Sequence, residues 1–143
     1  MDVPPLVTGT VTVNVSSVVG RRGVPGQAAY CASKAAVTSI GESLRVEWAG
    51  EEIAVCTLSP ALTATGFFGS QPNPSALPEP DLSDAAQPVE VARHVLALDL
   101  RPVPELTLRR KWHWLGVLSA LAPRLADRLL VRRVGGEWTA PKR

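Results

Sequence analysis

Residues 10–34 read Thr-Val-Thr-Val-Asn-Val-Ser-Ser-Val-Val-Gly-Arg-Arg-Gly-Val-Pro-Gly-Gln-Ala-Ala-Tyr-Cys-Ala-Ser-Lys, and three kinds of segment follow one another within them. Residues 10–16 form a short, β-branched run, which predicts a strand. Over residues 17–27 the glycines Gly20, Gly23 and Gly26, with Pro25 and the pair Arg21 and Arg22, break every period and predict a loop. From residue 28 to residue 49 proline is absent. Ala32, Ala36, Val37, Ile40, Leu44 and Trp48 recur there at helical spacing until Gly50 stops the pattern. A strand passing through a glycine-rich loop into a helix is the opening of a βαβ unit.

The sequence beyond this unit repeats the alternation. Residues 53–58 (Ile-Ala-Val-Cys-Thr-Leu) are nearly all apolar, as expected of a strand covered on both faces, and Ser59-Pro60 ends them. Residues 61–87, with Gly66, Gly69, four prolines and the acids Glu79, Asp81 and Asp84, predict a long loop of the lid or binding type. Pro88 suits the first turn of a helix running to about residue 100, with Val91, Val95 and Leu98 on one face. Leu106 and Leu108 suggest a further short strand. Residues 112–130 are amphipathic, with Leu115, Leu118, Leu121, Leu125 and Leu129 set against Arg124, Arg128 and Arg132, and Pro123 should kink or split them. The stripe Leu115, Leu118, Leu121 and Leu125 is expected to pack as core or lid. The order strand, helix, strand, helix, strand predicts an α/β fold: a short parallel sheet with flanking helices joined by right-handed crossovers.

A length of 143 residues allows one domain, residues 1–143, and the 45% apolar, 20% charged composition is that of a globular chain. The net charge of +2 conceals an asymmetry, because residues 1–100 carry −5 and residues 101–143 carry +7. Residues 109–143 therefore read as a basic amphipathic segment on a mildly acidic body. Cys31 and Cys56 are too few for a disulfide framework, and no signal-peptide pattern opens the sequence, so the expected setting is cytoplasmic. The longest apolar stretch, residues 112–122, is interrupted by His113 and falls short of the roughly 20 residues that cross a bilayer, so no transmembrane segment is expected.

Tyr30 and Lys34 stand four apart on the first helix and hence share a face. A tyrosine ordinarily titrates near 10, so a phenol that exchanges protons at neutral pH needs its anion stabilised, and a lysine cation is the simplest means. Taken alone, such a pair is a common solvated contact. Ser17 adds a hydroxyl at the carboxyl end of the preceding strand, where open α/β sheets build their sites.

The stretches Asn14-Val-Ser-Ser17, Tyr30-Cys-Ala-Ser-Lys34 and Leu58-Ser59-Pro60, in this order, resemble the short-chain dehydrogenases/reductases over roughly residues 9–100. The resemblance implies a partial Rossmann-like, doubly wound fold. It also implies an NAD(P)-dependent oxidoreductase that transfers hydride between a nicotinamide cofactor, NAD or NADP, and a small-molecule carbonyl or alcohol substrate. By the same resemblance Tyr30 is the general acid/base and Ser17 holds the substrate oxygen. Lys34 binds the nicotinamide ribose and assists the phenol, while residues 13–17 line the floor of the site. Pro60, Ala61, Thr63 and Thr65 approach the nicotinamide, Thr65 on its carboxamide. Ala61 stands where the family has the glycine of a Pro-Gly turn.

The family's Thr-Gly-x-x-x-Gly-x-Gly turn, on which the pyrophosphate rests, and its Asn-Asn-Ala-Gly strand have no counterpart in the sequence. The expectation is therefore of a truncated, C-terminal half of such an enzyme, occurring as a homo-oligomer or with the missing half. Two alternatives come from other classes: a non-catalytic fragment that binds a partner chain along the edge of its first strand, or a module whose basic segment after Arg109 makes a peripheral membrane or nucleic-acid contact. In the leading reading nucleic acid is not an expected partner. His94 and His113 lack partners at metal-ligand spacing, Cys31 and Cys56 read as buried thiols, and the loop acids read as solvated, so no metal site is expected.

Overall fold

The computed structural model describes residues 9–70 and 81–134. Three strands, β1 (Thr10–Val15), β2 (Ile53–Ser59) and β3 (Glu105–Thr107), form one parallel sheet in the order β1-β2-β3. β1 and β2 are in register from Thr10 opposite Ile53 to Val15 opposite Leu58, and β3 joins at Thr57 opposite Glu105. Helix α1 (Ala28–Glu47) connects the first two strands. A short helix α2 (Phe67–Ser70) and α3 (Pro88–Leu100) lie between β2 and β3. The pair α4 (Arg110–Leu121) and α5 (Pro123–Val134) follows β3, Pro123 splitting the amphipathic run as its missing N–H requires.

The two faces of the sheet differ in chemistry, and the register explains why. Val11, Val13, Cys56, Leu58 and Leu106 share one face, which α3 covers with Val91, Val95 and Leu98 to make the apolar core, joined by Leu108. Asn14 and Thr57 sit opposite one another on the other face, beneath α1. Helices on both faces give the doubly wound arrangement. Both crossovers step the same way along the sheet, yet α1 and α3 lie on opposite faces, so the crossovers are of opposite hand. The expectation of two right-handed crossovers fails at one of them. The preference for right-handedness comes from a twisted strand feeding directly into its helix.

Four further details depart from expectation. The loop between β1 and α1 contains a 3-10 turn, Val18–Gly20, capped by Ser17. The leucine stripe is not continuous core: Leu121, Leu125 and Leu129 are 81%, 47% and 43% exposed. Splitting the run at Pro123 turns α5 so that Ala126, fully buried, takes the inward position instead. On α1 the buried side is Cys31, Thr38 and Gly41, and the stripe Ala32, Ala36, Ile40 faces out. The loop expected over residues 61–87 carries α2 and a parallel bridge between Thr63 and Ala86, and its middle, with Glu79, lies outside the described residues.

Candidate active site

The carboxyl ends of β1 and β2 meet the first half of α1, and every predicted site residue lies in this region. Ser16 and Ser17 leave β1 side by side, both buried. The Ser16 hydroxyl donates to the Lys34 carbonyl at 2.8 Å and lies 2.8 Å from the Thr38 hydroxyl, which fastens the strand end to the helix. Ser17 points the other way: its Oγ accepts from the Val19 amide at 3.4 Å and donates to the Pro60 carbonyl at 3.5 Å. The 3-10 turn can lie this close to α1 because residue 20 is glycine. A Cβ there would meet Ser16 Oγ at 2.7 Å and the Lys34 carbonyl at 2.9 Å.

Tyr30 and Lys34 stand on successive turns of α1 and are both partly buried. The Lys34 ammonium donates to the Val15 carbonyl at 3.1 Å and lies 5.8 Å from the centre of the Tyr30 ring. The other neighbour of that ring is Phe67, whose ring centre is 5.3 Å away at a 45° tilt. Among the described residues, no hydrogen bond joins Ser17, Tyr30 and Lys34 to one another. They share a neighbourhood, at one end of the sheet, with the hydroxyl, phenol and ammonium brought there by three separate pieces of chain.

The segment after β2 closes the region. Pro60 is buried, and its carbonyl accepts both the Val18 amide at 3.0 Å and the Ser17 hydroxyl, so the ends of β1 and β2 are tied together at this point. Ala61 and Thr63 are partly buried, with the Thr63 hydroxyl donating to the Ala61 carbonyl at 3.3 Å. Thr65 is exposed at the start of α2, where its Oγ accepts from the Phe67 amide at 3.4 Å. Thr65 thus orients the backbone that carries Phe67 onto Tyr30.

Other candidates have structural roles. Cys31 and Cys56 are both buried free thiols, as predicted, and burial pushes the Cys56 thiol up, opposed by the Val103 backbone and the Arg45 charge. His113 packs edge-on against Trp114 with ring centres 5.6 Å apart. Asp81 accepts from the amide and hydroxyl of Ser83, which hold its carboxyl below the usual range. Asp84 pairs with Lys111 and Arg109. No group of three metal-ligating side chains occurs among the described residues. Arg21 pairs with Glu105 and Glu42, Arg45 pairs with Glu105, and Arg22 pairs with Asp127 of α5, so the paired loop arginines anchor β3, α1 and α5 to the site loop.

Sequence reasoning placed Ser16 on the floor of the site without its tie to α1, and missed Thr38, Gly41 and Phe67. The first three carried a legible signal: small or hydroxyl residues three apart on a helix, preceded by a hydroxyl at a strand end, mark a helix face pressed against a sheet. Phe67 carried none, because its contact with Tyr30 depends on the path of a long loop.

A sequence model of the family described as short chain dehydrogenase matches residues 7–75. Among curated proteins, an uncharacterized oxidoreductase of Mycobacterium tuberculosis is 59% identical over 49 residues, 34% of this chain and 19% of its own length. Carbonyl reductase family member 4 of Danio rerio is 36% identical over 90 residues, 63% of this chain and 38% of its own length. A short-chain dehydrogenase from Burkholderia cenocepacia, solved in complex with NADP, superposes with a TM-score of 0.67 at 23% identity, covering 86% of this chain and 48% of that one. One from Sphingobium yanoikuyae, solved with NADPH, gives 0.59 at 26% identity over 82% of this chain and 45% of that one. Over residues 7–75 the chain is similar to the short-chain dehydrogenase family. It spans under two fifths of the length of these curated relatives and about half that of the solved structures.

Proposed function

We propose that the site takes part in hydride transfer between a nicotinamide cofactor, NAD or NADP, and a carbonyl or alcohol substrate. The observation that carries this reading is the Lys34 ammonium, tethered to the end of β1 and 5.8 Å from the ring of Tyr30. The donor set suits the nicotinamide end of such a cofactor: an ammonium and a phenol from α1, with Pro60, Ala61, Thr63 and Thr65 following β2. A nicotinamide cofactor, when bound, supplies or accepts the hydride. A pyrophosphate cradle needs a glycine turn opening a helix, and the described residues offer none, so the proposal concerns the nicotinamide end alone.

In this reading Tyr30 gives its phenolic proton to the carbonyl oxygen as the alcohol forms, and takes it back in the reverse direction. Lys34 stabilises the phenolate by its charge and donates to the cofactor ribose. Ser17 turns its single hydroxyl proton from the Pro60 carbonyl to the substrate oxygen and fixes its distance from the phenol. Phe67 shields the phenol from water. Two buried free thiols suit a reducing, cytoplasmic setting. β1 is an edge strand of the described sheet, which supports association with a second copy or with a segment that extends the sheet.

The test is NADPH- and NADH-linked reduction of a carbonyl panel by the chain, alone and co-expressed with the N-terminal cofactor-binding half of a relative. Turnover that disappears in Tyr30→Phe supports the proposal. Turnover indifferent to that change overturns it. The open edge of β1 favours one other reading, a partner-binding chain without catalysis, and capture of the co-expressed half without any turnover would select it.

A further inference from the structure

We infer that the outer face of α5 docks on anionic membrane surfaces, its arginines meeting headgroups and its leucines entering the interface. Ala126 is fully buried and Leu130 is half-buried, so these residues mark the inward side of α5. Asp127, the acid of this helix, pairs with Arg22. Arg124, Arg128 and Arg132 recur every four residues on the outer side. All three are exposed, and none has an ion pair or side-chain hydrogen bond among the described residues. Each of the first two is followed by a leucine, Leu125 and Leu129, on the adjoining stripe, and Leu121 stands exposed just before the helix.

Three exposed arginines alone would be an ordinary solvated face. The leucines beside them are what water does not reward. An arginine-rich helix that presents basic and apolar stripes side by side has the pattern of one lying in the headgroup region. The charge is complementary as well: Asp127, the acid of α5, is already held by Arg22, which leaves the outer face of the helix to its unpaired arginines. A nucleic acid would engage the arginines and give the leucines no partner. No helix among the described residues is long and apolar enough to cross a membrane, so the contact is of the surface-lying kind.

The experiment is flotation of the full chain with vesicles of phosphatidylcholine alone and of phosphatidylcholine with about a third phosphatidylserine. Flotation separates bound chain from any aggregate. An arginine at an anionic surface contributes about fivefold to partitioning, so Arg124→Gln/Arg128→Gln/Arg132→Gln should weaken binding roughly 100-fold. The matching triple lysine variant should retain binding, which separates lost charge from lost fold. Leu125→Ser/Leu129→Ser should weaken it too, and rising salt should release the wild-type chain. Three results would each overturn the proposal: equal flotation with and without phosphatidylserine, flotation unaffected by the glutamine substitutions, or binding that the serine pair leaves intact and duplex DNA competes away.

Discussion

Lys34 and Val15 are joined by a 3.1 Å hydrogen bond from the lysine ammonium to the last carbonyl of β1. The bond fixes the cation at the carboxyl end of the sheet while leaving its remaining protons for a ligand, since an ammonium carries three donors. Tyr30, one helical turn earlier, receives the charge across 5.8 Å and makes no hydrogen bond to it. The strand end thus places the lysine, and the helix repeat then places the phenol beside it.

Loss of the phenol should be the most damaging change at the site. Tyr30→Phe is expected to lower kcat/KM for carbonyl reduction in the co-expressed assembly by about 10²- to 10⁴-fold, the range of general acid/base catalysis. Lys34→Met should lower it as well and raise the KM for cofactor, because it removes both the charge and the proposed ribose donor. Steady-state kinetics with varied cofactor separate the two effects. If Lys34→Met changes neither constant, the lysine serves only to tie α1 to β1.

Ser17 has a structural task as well as a proposed catalytic one, since it caps the 3-10 turn and reaches the Pro60 carbonyl. Ser17→Ala is expected to reduce kcat with cofactor affinity nearly intact, and to lower stability by about 1 kcal/mol for the lost buried contacts. Cofactor fluorescence titration and urea unfolding read the two consequences independently. A large fall in cofactor affinity would move Ser17 from the substrate side of the site to the cofactor side.

The strands, the helices other than α2, and the placement of Ser17, Tyr30 and Lys34 were legible because each rests on a local pattern. β-branched residues in 10–15, proline-free helical spacing after Ala28 and the i, i+4 pair are all readable within a few turns of chain. That the two crossovers differ in hand was not, because no local period encodes which face of the sheet a helix covers. The outward turn of Leu121, Leu125 and Leu129 escaped for a related reason. Pro123 marks a break, but the rotation of α5 relative to α4 follows from tertiary contacts such as Arg22 with Asp127. Phe67 came to Tyr30 by way of the long loop over residues 60–87.

Acid should loosen the hold of α4 on the segment before α3. Lys111 and, after it, Arg109 hold the Asp84 carboxyl below its ordinary value. A carboxylate whose folded pKa is depressed contributes stability above its unfolded pKa of about 3.9, and loses it as pH falls through the lower folded value. The Tm of the wild-type chain should therefore fall below about pH 4 more steeply than that of Asp84→Asn, with the two converging at the acid end. Because the pair is exposed, about 0.5 M salt should shrink the difference. Parallel slopes in thermal melts at low salt would show that the pair does not contribute.

Gly41 and Thr57 set how closely α1 approaches the sheet. A Cβ at residue 41 would stand 2.5 Å from Thr57 Oγ1 and 3.3 Å from Asn14 Nδ2, and neither polar atom has a hydrogen-bond partner among the described residues. Gly41→Ala gains about 1 kcal/mol of helix propensity, but it must push α1 off a packed layer, at about 1–3 kcal/mol. The expected outcome is net destabilisation in urea unfolding. Thr57→Ala removes the opposing oxygen without breaking a hydrogen bond, so the double variant should be more stable than the sum of the single changes allows. Thr57→Val, which replaces an unpartnered hydroxyl by a methyl of the same shape, should be neutral or stabilising. The displacement would also be felt at the site, because Ser16 bonds to Lys34 and Thr38 of the same helix. Strict additivity of Gly41→Ala and Thr57→Ala would mean that the helix has room to shift and that glycine is not required at this crossing.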